Sequence, residues 1–273
     1  MKYLARSDTG DPLLGDNNGF VPLGSVHPEL DSIRKALPLA AQGELRDVTV
    51  ATAEPVPAEN ISFGLPLASF GKLWGIGLNY AEHAGDLDEE RPEEPASFMK
   101  PNSVLTGAGG PIRLPPREQS DRVTAEAELA IVVGRACNDV SEAEADDIIA
   151  GYLPVIDMTA EDVLQRNPRF LTRAKSYDTF LVVGDVITVP EAGFDLTELT
   201  VTTEVNGEVA AVNVVDNMLF PPREIVSFHS KVMSLSPGDL FSTGTPGAEP
   251  IESGDEVRAT VESIGSVNSS VTR

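Results

Sequence analysis

The apolar residues of this chain fall into short runs, each closed by turn-forming residues. “ELAIVVG”, “GYLPVIDMT”, “TFLVVGDVITV”, “LTVTTEVNGEV”, “DLFSTGTPG” and “DEVRATVESIGSV” are of this kind. Runs of that length, rich in β-branched residues, favour strands. The Asn-Gly of “EVNGEVAAVNVVD” is a hairpin signal. Helical spacing is confined to “PELDSIRKAL”, to “SEAEADDIIAG” with its serine cap and acidic first turn, and to “PREIVSFHSKVM”. Many strands at irregular spacing do not make a βαβ repeat. The expected fold is therefore mixed and β-rich, a sandwich or roll with few helices. Residues 1–65 read as a small N-terminal α+β domain and residues 66–273 as a larger one, the pattern changing at “LWGIGLNYAEHAG”.

One run carries charge where a core strand should not. In “TAEAELAIVVG”, Glu126 and Glu128 are two apart, so on a strand they share a face. Two like charges repel, and desolvating both is costly unless something positive lies between them. Asp157, at the exit of the run “GYLPVID”, would add a third oxygen ligand from a second strand. Hard cations such as Mg²⁺, Mn²⁺ or Ca²⁺ take such a set. A wet sheet face explains the spacing of the two glutamates equally, and on the residues alone both readings stand.

Three further groups have the right chemistry for a site. His83 and Asp86 in “GLNYAEHAGD” are three apart, and a helical turn would put them on one face. A carboxylate there orients the imidazole for activating water; a surface pair is the plainer alternative. Lys175 in “FLTRAKSYDTF” could stabilise a developing oxyanion, or simply be a lysine at a strand edge. The “STGTPG” loop offers backbone donors and hydroxyls for a carboxylate, or is a plain turn. His229 falls on an expected helix and reads as structural, and His27 reads as a turn residue. The glycines form neither a dinucleotide fingerprint nor a P-loop.

Charge narrows the partners. The chain holds 43 acidic residues against 20 basic ones, a net of -23, and such a surface repels nucleic-acid phosphate. The acid is dispersed through “LDEERPEEP”, “SEAEADD” and “PIESGDEV” rather than gathered in one tail. Dispersed acid with few lysines is the composition of a halophilic surface, where screening relieves self-repulsion; an ordinary acidic protein is the other reading. One cysteine, Cys137, excludes an intramolecular disulfide and a cysteine-based zinc cage. No apolar run reaches membrane-spanning length, and the start lacks a signal peptide's apolar stretch. The expectation is a cytoplasmic enzyme.

The order of these segments is more specific than any one of them. “GIGLNYAEHAGD”, “FMKP”, “AEAELAIVVGRA”, “IDMTAED”, “AKSYDTF”, “VNGE” and “MSLSPGDLFSTGTPG” follow one another as in the fumarylacetoacetate hydrolase superfamily, which residues 73–268 resemble. That resemblance implies a β-sandwich roll carrying the catalytic domain, and a homodimer. It implies a divalent cation, Mg²⁺ with Mn²⁺ or Ca²⁺ as alternatives, on Glu126, Glu128 and Asp157. His83 with Asp86 would activate water, Asp86 standing where a glutamate is usual. Lys175 would hold developing negative charge, and Thr243, Gly244 and Thr245 would contact the substrate's acid group.

Two positions depart from the pattern. Many members carry arginine four residues after the metal-binding aspartate and glutamine seven after it. Here these are Glu161 and Leu164, with Gln165 one position too late. Glu161 is expected to disfavour a second negative charge on the substrate. The resemblance implies hydrolysis of a carbon–carbon bond in a β-diketo or 2-keto acid, of the acylpyruvate type, through an enolate. Hydratase, dehydratase, decarboxylase or isomerase action on a 2-keto acid is the alternative. A metal-binding scaffold without catalysis is the second.

Overall fold

A computed structural model describes residues 1–48, 50, 54–80 and 92–273. The N-terminal strands are β1 (Lys2–Arg6), β2 (Pro12–Asp16) and β3 (Gly19–Pro22). They are followed by β4 (Leu73–Gly77), β5 (Ala96–Lys100), β6 (Leu105–Gly107) and β7 (Ile112–Arg113). The two longest strands come next, β8 (Val123–Val133) and β9 (Ile149–Ala160). After them run β10 (Leu181–Val183), β11 (Val186–Val189), β12 (Thr200–Val205), β13 (Glu208–Val214) and β14 (Leu240–Ser242). The chain closes with β15 (Glu249–Ile251), β16 (Glu256–Val261) and β17 (Gly265–Thr272).

These strands make two sheets, as the turn-bounded apolar runs require. The larger is ordered β3-β2-β1-β11-β9-β8-β14-β4-β5, with β6, β10 and β15 attached beside that path, and the smaller is ordered β13-β12-β16-β17-β7. The N-terminal hairpin belongs to the larger sheet, because β1 pairs antiparallel with β11. The sheets meet at their centres, where the Ala127 N–H of β8 donates to Thr203 Oγ1 of β12 at 3.0 Å. Every residue of β8 and β9 is buried. A strand covered on both faces reads as a nearly continuous apolar run, as “ELAIVVG” does. Each fully buried valine, leucine or isoleucine contributes about 1.5–3 kcal/mol, which lets this pair of strands tolerate charged residues between them.

The Asn-Gly signal is realised. Asn206 at φ 54° and Gly207 at φ 80° turn β12 back into β13, the left-handed pair a tight hairpin needs. Helices are few. “PELDSIRKAL” contributes Ile33–Ala41, and “PREIVSFHSKVM” contributes Pro222–Val232. “SEAEADDIIAG” makes only one turn, Glu142–Ala145, closed by a Ser141–Glu144 capping box. It stops there because Ile149 already enters β9. No helix among the described residues is long and apolar enough to cross a membrane.

Candidate metal centre

Register brings the three carboxylates together. Glu126 of β8 lies directly opposite Asp157 of β9, and Glu128 follows one pleat along on the same face. One carboxylate oxygen from each of Glu126, Glu128 and Asp157 lies within 4.8 Å of the others, and all three residues are buried. Asp157 is wholly inaccessible and sits well inside β9, not at its exit. The strand runs on through Met158, Thr159 and Ala160 to pair with the start of β8.

Two lysines face this cluster. Lys175 Nζ donates to Glu126 Oε2 at 2.8 Å and to Asp157 Oδ2 at 3.3 Å. Lys100 Nζ pairs with Asp157 Oδ1 and donates to the Phe180 carbonyl at 2.6 Å. Burial opposes the charge on Lys175, but Asp157, Glu126 and Glu128 outweigh it and hold the ammonium above the usual lysine range. Burial dominates at Lys100 and pulls it down, against the attraction of Asp157. Three carboxylates against two ammonium groups leave one negative charge in excess. Burial first, and the neighbouring Asp157 next, push Glu128 up to about 8. An acid responds in this way when its counter-charge is incomplete. An all-oxygen, charge-deficient cluster fits a hard divalent cation, so the residues present suit the metal expected of them.

The centre is held from behind. Glu128 accepts from Ser242 Oγ at 2.5 Å and from the Gly244 N–H at 2.7 Å. Glu126 accepts from Thr159 Oγ1 at 2.5 Å and from Thr124 Oγ1 at 3.4 Å. Asn79 ties the loop after β14 to the segment after β4. Its Nδ2 donates to the carbonyls of Thr243 at 2.6 Å and Phe220 at 3.0 Å, and its Oδ1 accepts from the Phe220 N–H at 2.8 Å. Tyr80, next in sequence, is fully buried with no partner for its hydroxyl among the described residues. Burial raises its phenol, and Glu128 adds to the effect.

The remaining expected residues are placed as follows. His83 and Asp86 lie outside the described residues. Lys175 is not on a strand edge; it ends the short helix Leu171–Lys175 and points inward over the Phe98 ring, 5.1 Å from its centroid. In the TGTP loop, Thr243 Oγ1 donates to the Leu129 carbonyl at 2.8 Å and Thr245 Oγ1 to the Gly247 carbonyl at 2.9 Å. The Gly244 N–H serves Glu128. The Gly244 donor braces the centre directly, and the two hydroxyls hold the loop that carries it. Glu161 does not stand as a lone charge: it pairs with Arg122 and accepts from Gln165 Nε2 at 2.9 Å. Leu164 packs against the core. His229 is buried in the helix Pro222–Val232, its Nδ1 2.7 Å from the Ile225 carbonyl, as a structural histidine.

Lys100, Ser242 and Thr159 were not legible as site residues. The “FMKP” stretch that holds Lys100 was visible, but β5 must pair with β4 before that lysine turns toward β9.

The pattern described as fumarylacetoacetate (FAA) hydrolase C-terminal matches residues 72–272. The chain belongs to that family. Among its relatives, the Mycobacterium tuberculosis protein Rv2993c is 40% identical over 223 residues, 81% of this chain and 83% of that one. Family members of known structure span the whole chain. The 5-carboxymethyl-2-hydroxymuconate delta-isomerase of Mycobacterium smegmatis has a TM-score of 0.77 at 34% identity, covering 100% of this chain and 99% of its own. The maleylpyruvate hydrolase of Sphingobium sp. SYK-6, solved with manganese(II) and pyruvate, has a TM-score of 0.81 at 25% identity, covering 99% and 98%. The β-rich fold is thus the fold of the fumarylacetoacetate hydrolase family, whose members include isomerases and hydrolases.

Proposed function

We propose that this protein is a divalent-metal-dependent enzyme of 2-keto or β-diketo acids, and that it hydrolyses a carbon–carbon bond in an acylpyruvate-type substrate. The observation that carries this reading is Lys175. Its ammonium group lies 2.8 and 3.3 Å from two of the three clustered carboxylates, facing the place where an enolate's charge would build. Glu126, Glu128 and Asp157 would hold the cation, Mg²⁺ or Mn²⁺, which when bound supplies a Lewis acid for the substrate's oxygens. Lys175 stabilises the negative charge left as the bond breaks, and Lys100 fixes Asp157 toward the centre. His83, oriented by Asp86, takes the proton of the attacking water. Thr243, Gly244 and Thr245 border the substrate's acid group, with the Gly244 N–H also bracing Glu128. A homodimer belongs to the same reading.

The test is a panel of acylpyruvates, fumarylpyruvate, oxaloacetate and 2-keto-3-deoxy sugar acids with Mg²⁺ and Mn²⁺, at low and high salt, with and without a chelator. Cleavage of an acylpyruvate that the chelator abolishes is the expected result. Chelator-insensitive turnover, or no turnover of any 2-keto acid, would overturn it.

A second reading, isomerisation or tautomerisation of a 2-keto acid, draws on the full-length likeness to an isomerase. It needs the same charge stabilisation but no attacking water. Deuterium uptake at the carbon beside the keto group, without cleavage, would select it.

A further inference from the structure

The short helix Leu171–Lys175 has two sides. On the inner one, Lys175 Nζ reaches Glu126 and Asp157. Positions two apart on a helix are turned by about 200°, and Arg173 stands exposed on the outer side. That side borders a groove of about 550 Å³, lined by Arg169, Phe170, Thr172, Arg173, Ser176 and Tyr177, with Gln119 at its edge. The volume suits a small molecule. None of these residues is acidic, in a chain of 43 acidic residues against 20 basic ones.

Both arginines of the groove are unpaired. Nine other arginines each donate from the side chain to a protein oxygen. Among the described residues, no protein acceptor takes a proton from the Arg169 or Arg173 side chain. The other described arginines without such an acceptor, Arg113 and Arg117, lie on the stretch that reaches the groove at Gln119. That stretch is tied to the helix segment, because Thr179 Oγ1 accepts the Arg113 N–H at 2.8 Å and the Gln119 carbonyl accepts from Arg166 at 3.2 Å. Unpaired guanidinium groups are thus gathered on two adjoining segments of an acidic molecule. The groove also holds an orphan. Ser176 Oγ is inaccessible and has no hydrogen-bond partner among the described residues, an unfavourable state until an acceptor arrives. Phe170, 41% exposed, leaves its ring bare beside it.

We propose that this groove is a second binding site, separate from the metal centre, for an aromatic carboxylate. A guanidinium presents a planar fork of donors that matches a carboxylate, and Arg169 and Arg173 supply two of them. The Ser176 hydroxyl donates to the same anion and so gains its missing partner. Phe170 and Tyr177 wall the ring, which a bare phosphate or sulfate would leave uncovered. Such a ligand binds whatever reaction the centre performs. It bridges Arg169 to Arg173 across the entry to the helix that carries Lys175, and therefore holds that helix in place.

The experiment is calorimetric binding of benzoate, acetate and inorganic phosphate to the full chain, with and without Mn²⁺, together with amide hydrogen exchange. Benzoate is expected to bind equally with and without the metal, about tenfold more tightly than acetate because its ring is covered, and more tightly than phosphate. It should slow exchange across residues 169–177. Arg169→Gln and Arg173→Gln should each weaken benzoate by about three- to tenfold, a charged hydrogen bond discounted for exposure. Ser176→Ala should weaken it by about two- to tenfold without lowering the melting temperature, since its hydroxyl has no partner to lose. Arg223→Gln, which removes a paired surface arginine elsewhere, should leave benzoate binding unchanged. Unaltered melting temperatures would show that the arginine variants fold. Benzoate that fails to bind, binds only with Mn²⁺, or binds no better than acetate or phosphate would overturn the proposal, as would equal weakening by Arg173→Gln and Arg223→Gln.

Discussion

The backbone N–H of Gly244 donates to Glu128 Oε2 across 2.7 Å, joining the TGTP loop to the carboxylate cluster. The loop can make this bond because Gly244 sits at φ +97°, where a Cβ would lie 2.7 Å from Asn79 Cβ and 3.0 Å from the Ile76 carbonyl. Neither neighbour can move freely, since Asn79 is locked by three hydrogen bonds.

Gly244→Ala should therefore displace the loop and free Glu128. Strain at such a backbone position is of order 1–3 kcal/mol. The expected outcome is a lower unfolding midpoint together with at least about tenfold weaker Mn²⁺ binding, read by calorimetry. A variant with unchanged metal affinity would separate the loop from the centre.

Removing Lys175 should split stability from metal binding. Lys175→Ala leaves Glu126 and Asp157 short of a buried counter-charge, and breaking a buried pair costs about 3–5 kcal/mol. The metal-free variant should unfold at markedly lower urea, and Mn²⁺ should restore more stability to it than to wild type. Turnover of any substrate the wild type accepts should be lost while metal binding persists. Unchanged turnover would remove Lys175 from the mechanism.

Asp185 predicts a pH dependence away from the centre. It lines a groove of about 580 Å³ with Tyr3, Phe20 and Phe63. Burial pushes its carboxyl up to about 6, only partly offset by the Ala108 N–H at 3.3 Å. A carboxyl raised in the folded state binds protons more readily there than in the unfolded chain. Its contribution is thus most favourable below its unfolded value near 3.8 and is lost as pH rises through about 6. Asp185→Asn should have its stability, relative to wild type, increase between pH 4 and pH 7, read as urea midpoints. A difference that does not change with pH would exclude the effect.

Salt should stabilise this protein. A net charge of -23 over 273 residues is self-repulsive. The screening length falls from about 10 Å at 0.1 M salt to about 3 Å at 1 M. The melting temperature is expected to rise from 0.1 to 2 M KCl, and the proposed dimer to strengthen in sedimentation, with choline chloride separating screening from cation binding. A flat or falling melting temperature would remove the salt-adaptation reading.

Local chemistry determined much of this molecule before it folded. β-Branched runs, the Asn206–Gly207 turn and the apolar spacing of Pro222–Val232 act over a few neighbouring residues, so those strands, that hairpin and that helix are legible along the chain, whereas the short helix Leu171–Lys175 is not. The two-residue spacing of Glu126 and Glu128 determined that they share a face, because a strand's side chains alternate. What they share it with was decided by pairing. Only the register of β8 with β9 sets Asp157 opposite Glu126, and only the folding of β5 and the Leu171–Lys175 helix onto those strands brings Lys100 and Lys175 to the carboxylates. Likewise, Arg122 and Glu161 are 39 residues apart and meet because they flank the paired ends of β8 and β9, Glu161 opening the helix that follows. Electrostatic contacts of that range are set by through-space distance, and no spacing along the chain encodes it.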